Sequence, residues 1–299
     1  MNKNGIIIKG VAGAYTVLAD GIPYVCNARG VFRNRKTSPL VGDYVTISVT
    51  DHEKKIGTLH TIGKRKNELI RPPVANIDQV IITVATAQPA FNAGLLDRFL
   101  VLAEYEDIPI LICVNKIDLI SYDDSFAPYI QAGYPLVYTS ATAPPFEEGL
   151  TNLRAHMAGK TNVFAGPSGV GKSSLINALM PKLELETGEL SKKLGRGRHT
   201  TRHVELFRLQ NGAIIADTPG FSAFDTQGLS SAQELQQLFH DFSPFIGTCR
   251  FLDCAHIKEP GCSVLGALAE GKLQKSRWES YRRLYQQALE FKQWEHKKA

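Results

Sequence analysis

An apolar run, a glycine-rich turn and a stretch of helical periodicity follow one another between residues 162 and 179. The turn carries the pattern G-x-x-x-x-G-K-S, from Gly166 to Ser173. Glycines let successive backbone N–H groups of such a turn point inward, and the helix that follows adds partial positive charge. The pattern therefore predicts a phosphate-binding loop with Lys172 on the outer phosphates and Ser173 on Mg²⁺; a turn with a merely solvated lysine is the competing interpretation. The loop residues are Gly166, Pro167, Ser168, Gly169, Val170, Gly171, Lys172, Ser173 and Ser174.

An N-K-x-D motif ends another apolar run at residues 115–118. The Asp118 carboxylate can accept two hydrogen bonds from guanine, whereas adenine would leave it unpaired at a cost of about 1–3 kcal/mol. Asn115 can bond the other edge of the base, and Lys116 can lie along it. Ser140 and Ala141, after the next apolar run, would add a backbone N–H to the guanine oxygen. Together with the phosphate loop, these residues predict GTP and GDP as ligands and argue against an ATPase or a kinase.

The motifs come in an unusual order, because the guanine motif precedes the phosphate loop and a D-x-x-G motif follows at residues 217–220. The set is complete but cyclically rotated, which the surface position of domain termini permits. With this order the sequence resembles the circularly permuted YjeQ/RsgA family of ribosome-biogenesis GTPases. The resemblance implies a GTP hydrolase that binds the small ribosomal subunit and its rRNA, is stimulated by the subunit and assists its late maturation. A nucleotide-dependent switch acting on a non-ribosomal RNA is the alternative.

The chain is expected to be multidomain, with an N-terminal OB-fold β-barrel (1–70), a circularly permuted α/β P-loop GTPase domain (71–224) and an α-helical zinc-binding domain (225–299). Five short apolar runs before residue 63 favour the barrel. Strands at 79–84 and 109–114 flank a helix at 94–105, which favours a doubly wound parallel sheet with ligand loops at the carboxyl ends of its strands.

Basic residues around the barrel suit RNA phosphates, and Phe32 could stack on a base. A solvated basic loop with Phe32 in the core is the other interpretation. The RNA-binding candidates of this region are Arg29, Phe32, Arg33, Arg35, Lys36, Lys64 and Arg65.

A basic, glycine-rich segment at residues 190–202 corresponds in position to a GTPase switch. Either Thr200 or Thr201 is expected to bind Mg²⁺, and Arg196 and Arg198 suit rRNA; an ordinary surface loop is the alternative. After the next strand, Asp217 should hold Mg²⁺ through water, and the Gly220 N–H should contact the γ-phosphate.

The residue after Gly220 is Phe221, where Ras-like enzymes carry the glutamine that orients the attacking water. Intrinsic hydrolysis should therefore be slow. His199 is the candidate catalytic group, because imidazole can bond water near neutral pH. A solvated or RNA-facing His199 is at least as compatible with the sequence.

Cys249, Cys254, His256 and Cys262 have the spacing C-x4-C-x-H-x5-C, which predicts one closed, structural Zn²⁺ site. Disulfide pairing is the rival interpretation. A helix at 231–239 should precede this motif and another at 273–298 should follow it. The second helix carries Arg282 and Arg283, which suit RNA; alternatively it closes the zinc module with its aromatic residues inward.

The chain has 299 residues, 43% of them hydrophobic, and a net charge of +5 that permits a polyanionic partner. No apolar run approaches the ~18 residues of a membrane span. We expect a monomer that has no membrane partner and works in the cytoplasm, where disulfides are rare.

Overall fold

The computed structural model describes residues 1–11, 13–28, 38–69, 73–119, 124–141, 146–180, 204–217 and 233–296. Both predicted domain boundaries, at residues 70–71 and 224–225, lie outside these ranges and stay predictions. None of the described helices combines the length and the apolar character that a membrane crossing requires.

Five strands form the N-terminal barrel: β1 (Asn2–Val11), β2 (Ala14–Ala19), β3 (Ile22–Ala28), β4 (Tyr44–Asp51) and β5 (Ile56–Ile62). Strand β1 pairs with both β2 and β4, and β3 pairs in parallel with β5. The order β1-β2-β3-β5-β4 therefore closes on itself, as in a five-stranded OB-fold. Alternate side chains such as Ile7, Val17, Ile47 and Leu59 fill the interior. The predicted barrel is confirmed.

A short hairpin of β6 (Glu68–Leu69) and β7 (Val74–Ala75) follows the barrel. It packs so closely on the turn before β4 that a Cβ at Gly42 would lie 2.1 Å from the Ala75 carbonyl oxygen. Asn76 Nδ2 also donates to the Gly42 carbonyl at 2.9 Å. The hairpin thus holds the exit of the barrel in place.

The central sheet contains β8 (Gln79–Ala85), β9 (Ile110–Asn115), β10 (Leu136–Tyr138), β11 (Thr161–Ala165), β12 (Glu205–Arg208) and β13 (Ile214–Asp217). Its order is β10-β9-β8-β11-β13-β12. Within the described residues, four helices accompany it: α1 (Ala93–Tyr105), α2 (Ala127–Gln131), α3 (Phe146–Met157) and α4 (Lys172–Leu179). Every residue of β8, β9 and β11 is buried, because helices cover both faces.

Alternate residues of the central strands point to different helices. Ile82 and Ile112 share a core with Phe99 of α1. Ile81 and Leu111 face the other side, where α3 and α4 pack. This arrangement confirms the doubly wound sheet. One strand differs from the prediction: β12 runs antiparallel to β13, since the five residues between them allow only a hairpin.

Strand β12 also joins the two sheets, because it pairs with β1 at Lys9 and Glu205. The side chains of these residues form an ion pair of 2.8 Å. The barrel and the central sheet are therefore one continuous eleven-stranded ladder.

The C-terminal region contains α5 (Ser263–Ala269) and the long helix α6 (Lys275–His296). The predicted helix at 231–239 is different: in its described part it is a 3-10 helix, Glu234–Leu238, followed by a second one, His240–Phe242. Phe239 between them is extended, with φ −107° and ψ 98°, and the rings of Phe239 and Phe242 are both fully buried. Helix α6 turns Tyr281 and Leu284 inward, as expected of a helix that closes the module.

Candidate functional site

The predicted phosphate loop connects β11 to α4, and its glycines adopt conformations that other residues resist. Gly166, Gly169 and Gly171 have φ values of 129°, 83° and 95°. A Cβ at Gly166 would lie 2.1 Å from the Thr83 carbonyl oxygen, and one at Gly171 would lie 2.3 Å from Asn115 Nδ2. The absence of a side chain at Gly166 lets the loop pass close to β8, and its absence at Gly171 lets the loop pass close to the guanine motif.

Lys172 begins α4 and turns its ammonium back into the loop. Its Nζ donates to the carbonyl oxygens of Gly166 and Pro167, each at 2.7 Å. Burial lowers the pKa of Lys172 to about 8. A phosphate group bound there would favour the charged form, so the loop holds a cation suited to an anionic ligand.

The guanine motif contacts the phosphate loop directly. Asn115, the last residue of β9, is buried, and its Nδ2 donates to the Val170 carbonyl at 2.8 Å. Thr139 Oγ1 donates to Asn115 Oδ1 at 3.2 Å. Lys116 Nζ donates to the Gly169 carbonyl at 2.8 Å and to the Gln88 carbonyl. Segments about 50 positions apart along the sequence are thus parts of one pocket.

Asp118 lies in a 3-10 turn, Ile117–Leu119, and is exposed at the pocket edge. The Ser140 hydroxyl donates to its carboxylate. Ser140 is buried and Ala141 is half-buried, both directly after β10. The S-A turn therefore orients Asp118 through a side chain, in addition to the backbone contact that the sequence predicts.

The Mg²⁺ candidates are described only in part. Ser173 and Ser174 are exposed in the first turn of α4. Asp217 ends β13, which pairs in parallel with β11, so both strands end at the same edge of the sheet. The structure does not describe the side chain of Asp217. The other predicted residues of this region also lie outside the described ranges: Arg196, Arg198, His199, Thr200, Thr201 and Gly220.

Cys249, Cys254, His256 and Cys262 converge, with all four ligand atoms within 4.8 Å of one another. His256 Nδ1 faces the thiols and lies 3.3 Å from Cys262 Sγ. Its Nε2 lies 2.6 Å from Gln236 Oε1, a partner that fixes the ring with Nδ1 toward the cluster. Backbone N–H groups of Ser263 and Leu265 donate to Cys249 Sγ and Cys262 Sγ. Three sulfurs and one imidazole nitrogen at these separations could hold a metal ion.

The RNA-binding candidates fall into three groups. The first group, Arg29, Phe32, Arg33, Arg35, Lys36, Arg196 and Arg198, lies outside the described residues. Lys64, Arg282 and Arg283 are exposed. Arg65 instead donates from Nε and Nη2 to the fully buried carboxylate of Asp43, at 2.7 and 2.9 Å. Its guanidinium is therefore paired with a buried carboxylate of the barrel, and we assign Arg65 a structural role.

Two family profiles match the chain, one over the barrel and one over the central domain. The RsgA GTPase profile matches residues 62–227, and the RsgA N-terminal domain profile matches residues 4–57. A protein of Alkaliphilus metalliredigens, named small ribosomal subunit biogenesis GTPase RsgA, is 48% identical over 282 residues, which are 93% of this chain and 95% of the relative. The chain belongs to the RsgA GTPase family.

Other members support this assignment. The RsgA of Bacillus velezensis is 43% identical and covers 96% of this chain, and 98% of its own length is matched. The crystal structure of YloQ, described as a circularly permuted GTPase, is 37% identical with a TM-score of 0.78, covering 97% of this chain and 96% of its own. YjeQ from Thermotoga maritima is 32% identical with a TM-score of 0.79, covering 97% and 99%. The rotated motif order of this RsgA-family chain is thus found in known relatives.

Sequence reasoning missed three contributors to this RsgA-family site. Thr139 and the Ser140 hydroxyl orient Asn115 and Asp118, and their place directly after β10 was the available signal. Gln236 lies 20 positions before His256, and no spacing rule connects the two. Outer hydrogen-bond partners of this kind are visible only once the chain is folded.

Proposed function

We propose that this chain binds GTP with Mg²⁺ in the pocket between the phosphate loop and the N-K-x-D motif, hydrolyses it, and assists maturation of the small ribosomal subunit. The observation that carries the proposal is the direct bonding of Asn115 and Lys116 to the carbonyls of Val170 and Gly169. One ligand can then contact both halves of the permuted motif set. The names of the relatives supply the small ribosomal subunit as partner.

The pocket supports a division of roles. Lys172 and the loop N–H groups would hold the phosphates, and Asp118 would select guanine. Ser173, Asp217 and either Thr200 or Thr201 would hold Mg²⁺, which supplies charge neutralisation at the phosphates. The Cys3His cluster would hold Zn²⁺ as a structural ion, because four protein ligands leave no open position.

The base assignment is tested with Asp118→Asn. An asparagine cannot accept both guanine hydrogens, so we expect affinity to move from GTP toward xanthosine triphosphate. Asp124→Asn, at another exposed carboxylate, is the matched control and should leave GTP affinity unchanged. Unaltered GTP affinity in Asp118→Asn would refute the assignment.

Stimulation is tested by measuring GTP turnover alone, with small subunits and with large subunits. We expect acceleration by small subunits only, and equal rates in all three reactions would contradict it.

His199→Ala should lower turnover while leaving GDP affinity intact if His199 is catalytic. Co-sedimentation of the protein with small subunits, compared with its co-sedimentation with other cellular RNA, distinguishes a ribosomal partner from a non-ribosomal one. The monomeric state and the cytoplasmic location remain predictions.

A further inference from the structure

Thr86, the residue directly after β8, contacts the guanine motif in two ways. Its backbone N–H donates to the carbonyl of Asn115 at 3.2 Å, which extends the pairing of β8 with β9 by one residue. Its Oγ1 donates to the carbonyl oxygen of Lys116 at 2.7 Å. Thr86 is only 7% exposed, so little water reaches this hydrogen bond. The hydroxyl therefore fixes a peptide group inside the N-K-x-D motif.

The same carbonyl group of Lys116 begins the turn that carries Asp118. The Leu119 N–H donates to this oxygen at 3.0 Å and closes the 3-10 turn. One carbonyl oxygen thus accepts two hydrogen bonds, one from the turn and one from Thr86. The Ser140 hydroxyl holds the Asp118 carboxylate from the other side. The backbone and the side chain of the base-recognition turn are therefore held by two different hydroxyl groups.

Lys116 adopts a backbone conformation that its surroundings must hold. Its φ is 63°, in the left-handed region where a Cβ crowds the following carbonyl oxygen. Its Nζ donates to the carbonyls of Gly169 and Gln88. The segment after β8 therefore contacts Lys116 at both ends: Thr86 binds the carbonyl group of the lysine, and Gln88 binds its ammonium group. These contacts fix the residue that follows Asn115 in the motif.

We propose that Thr86 is a positioning residue for guanine recognition. Its hydroxyl holds the Lys116 peptide group so that Lys116 and Asp118 meet the base in the geometry that distinguishes guanine from other bases. Thr86 acts through these two residues rather than by contact with the base. The inference rests on the proposed function and deepens it, because it assigns part of the base specificity to a residue outside the nucleotide-binding motifs.

The test compares GDP binding by Thr86→Val, Thr86→Ser and wild type. Valine keeps the branched shape of threonine but has no hydrogen-bond donor, so GDP should bind about 3- to 10-fold more weakly, the range of one lost hydrogen bond. Serine keeps the hydroxyl and should bind GDP as wild type does. Thr161→Val is the matched control and should keep GDP affinity. Thr161 is 4% exposed and begins β11, so it lies at the opposite edge of the sheet from the pocket.

Two further ligands separate positioning from a merely structural role. Inosine diphosphate lacks the exocyclic amine of guanine and can form only one of the two hydrogen bonds to Asp118. The preference for GDP over inosine diphosphate should therefore fall in Thr86→Val, by about 2- to 5-fold. Inorganic pyrophosphate needs only the phosphate loop and should keep its wild-type dissociation constant. Displacement of fluorescent GDP measures all of these constants. If Thr86→Val does not fold, Thr86→Ala should show the same loss of preference.

Equal GDP affinity in Thr86→Val and wild type would overturn the proposal, and so would an equal loss in Thr86→Ser. A loss of the same factor for GDP, inosine diphosphate and pyrophosphate would assign Thr86 a structural role only and would also overturn it. Failure of the proposed function looks different. In that case wild type would bind ADP as well as GDP, and the positioning role would fall with it. If wild type prefers guanine and Asp118→Asn removes that preference while Thr86→Val does not, the positioning role alone is wrong.

Discussion

Gly171 brings the start of α4 against the guanine motif, and no other residue type fits there. Its φ of 95° is left-handed, and a Cβ would lie 2.3 Å from Asn115 Nδ2. That amide donates to Val170, the residue before Gly171. A single backbone position therefore lets the phosphate-loop motif pack against the N-K-x-D motif.

We expect Gly171→Ala to abolish tight GDP binding, because the new methyl group displaces Asn115 from the loop. Gly133→Ala is a matched control, since Gly133 has a φ of 88° and open space around the added carbon. Each variant should lose about 1 kcal/mol of unfolding free energy from the strained φ, and Gly171→Ala should lose more because Asn115 also loses its hydrogen bond to Val170. Only Gly171→Ala should lose the nucleotide in a fluorescence titration, and parallel losses in the two variants would contradict the argument.

The buried ammonium of Lys172 should make nucleotide binding depend on pH. Its pKa of about 8 in the free protein lies below the ordinary value of 10.5. Bound phosphates raise that pKa, so binding takes up a proton above pH 8 and affinity falls as pH rises, by at most about tenfold per unit. The stability of the ligand-free protein depends on pH in the opposite direction. Between the folded pKa of about 8 and the ordinary value of 10.5, Lys172 is protonated in the unfolded chain and neutral in the folded protein. Its contribution to the free energy of unfolding therefore increases with pH in that range.

Titrating fluorescent GDP from neutral pH into the range above pH 8 measures this effect. Lys172→Arg is the control, since a guanidinium stays charged throughout. The arginine variant should bind more weakly but lose the pH dependence. A pH-independent affinity in wild type would show that the ammonium keeps its charge without phosphate.

At the scale of elements, the Cys3His cluster lies beside the hydrophobic core of the C-terminal region, and Cys254 and Cys262 belong to both. Its ligands come from loops and from Cys262, the residue that caps the start of α5. Trp278 of α6 donates from Nε1 to the carbonyl of His256 at 2.8 Å. Metal binding is thereby linked to the packing of the last helix.

Gln236→Ala should lower metal affinity by about 10- to 100-fold, because His256 loses the acceptor that orients its ring. Gln236→Glu retains an acceptor and should bind metal at least as well. Competition with a chromophoric zinc chelator gives both affinities. Loss of helical circular dichroism on zinc removal would accompany release, and identical affinities in wild type and Gln236→Ala would remove Gln236 from the site.

At the scale of the whole molecule, a buried arginine lies at the centre of the contact between the C-terminal module and the GTPase core. Arg277 of α6 is 1% exposed and pairs with Asp97 of α1 and with Asp241 at 3.0 Å. The rings of Tyr129, Tyr134 and Phe239 lie within 5.8 Å of its guanidinium. Two carboxylates and three aromatic rings therefore satisfy a charge that burial alone would disfavour.

We expect Arg277→Ala to cost about 3–5 kcal/mol of unfolding free energy, because it leaves two carboxylates in the interface without their partner. Urea denaturation measures the loss. Arg282→Ala changes an exposed arginine of the same helix. Its free energy of unfolding should stay within about 0.5 kcal/mol of wild type. A comparable cost for both variants would mean that the buried pair does not stabilise this contact.

The sequence by itself determined the phosphate-loop motif, the N-K-x-D motif, the Cys3His cluster and most of the strand and helix pattern around them. These are local signals, in which spacing along the chain carries the chemistry. The tertiary structure decided which charged residues remain available: Arg65 is held by Asp43 and Arg277 by Asp97, while Arg282 and Arg283 are exposed. The antiparallel β12 and the hydrogen bond of Gln236 to His256 also became visible only in the fold. The physical reason is that burial and pairing depend on residues distant in sequence, and a local pattern contains no information about which of them will meet.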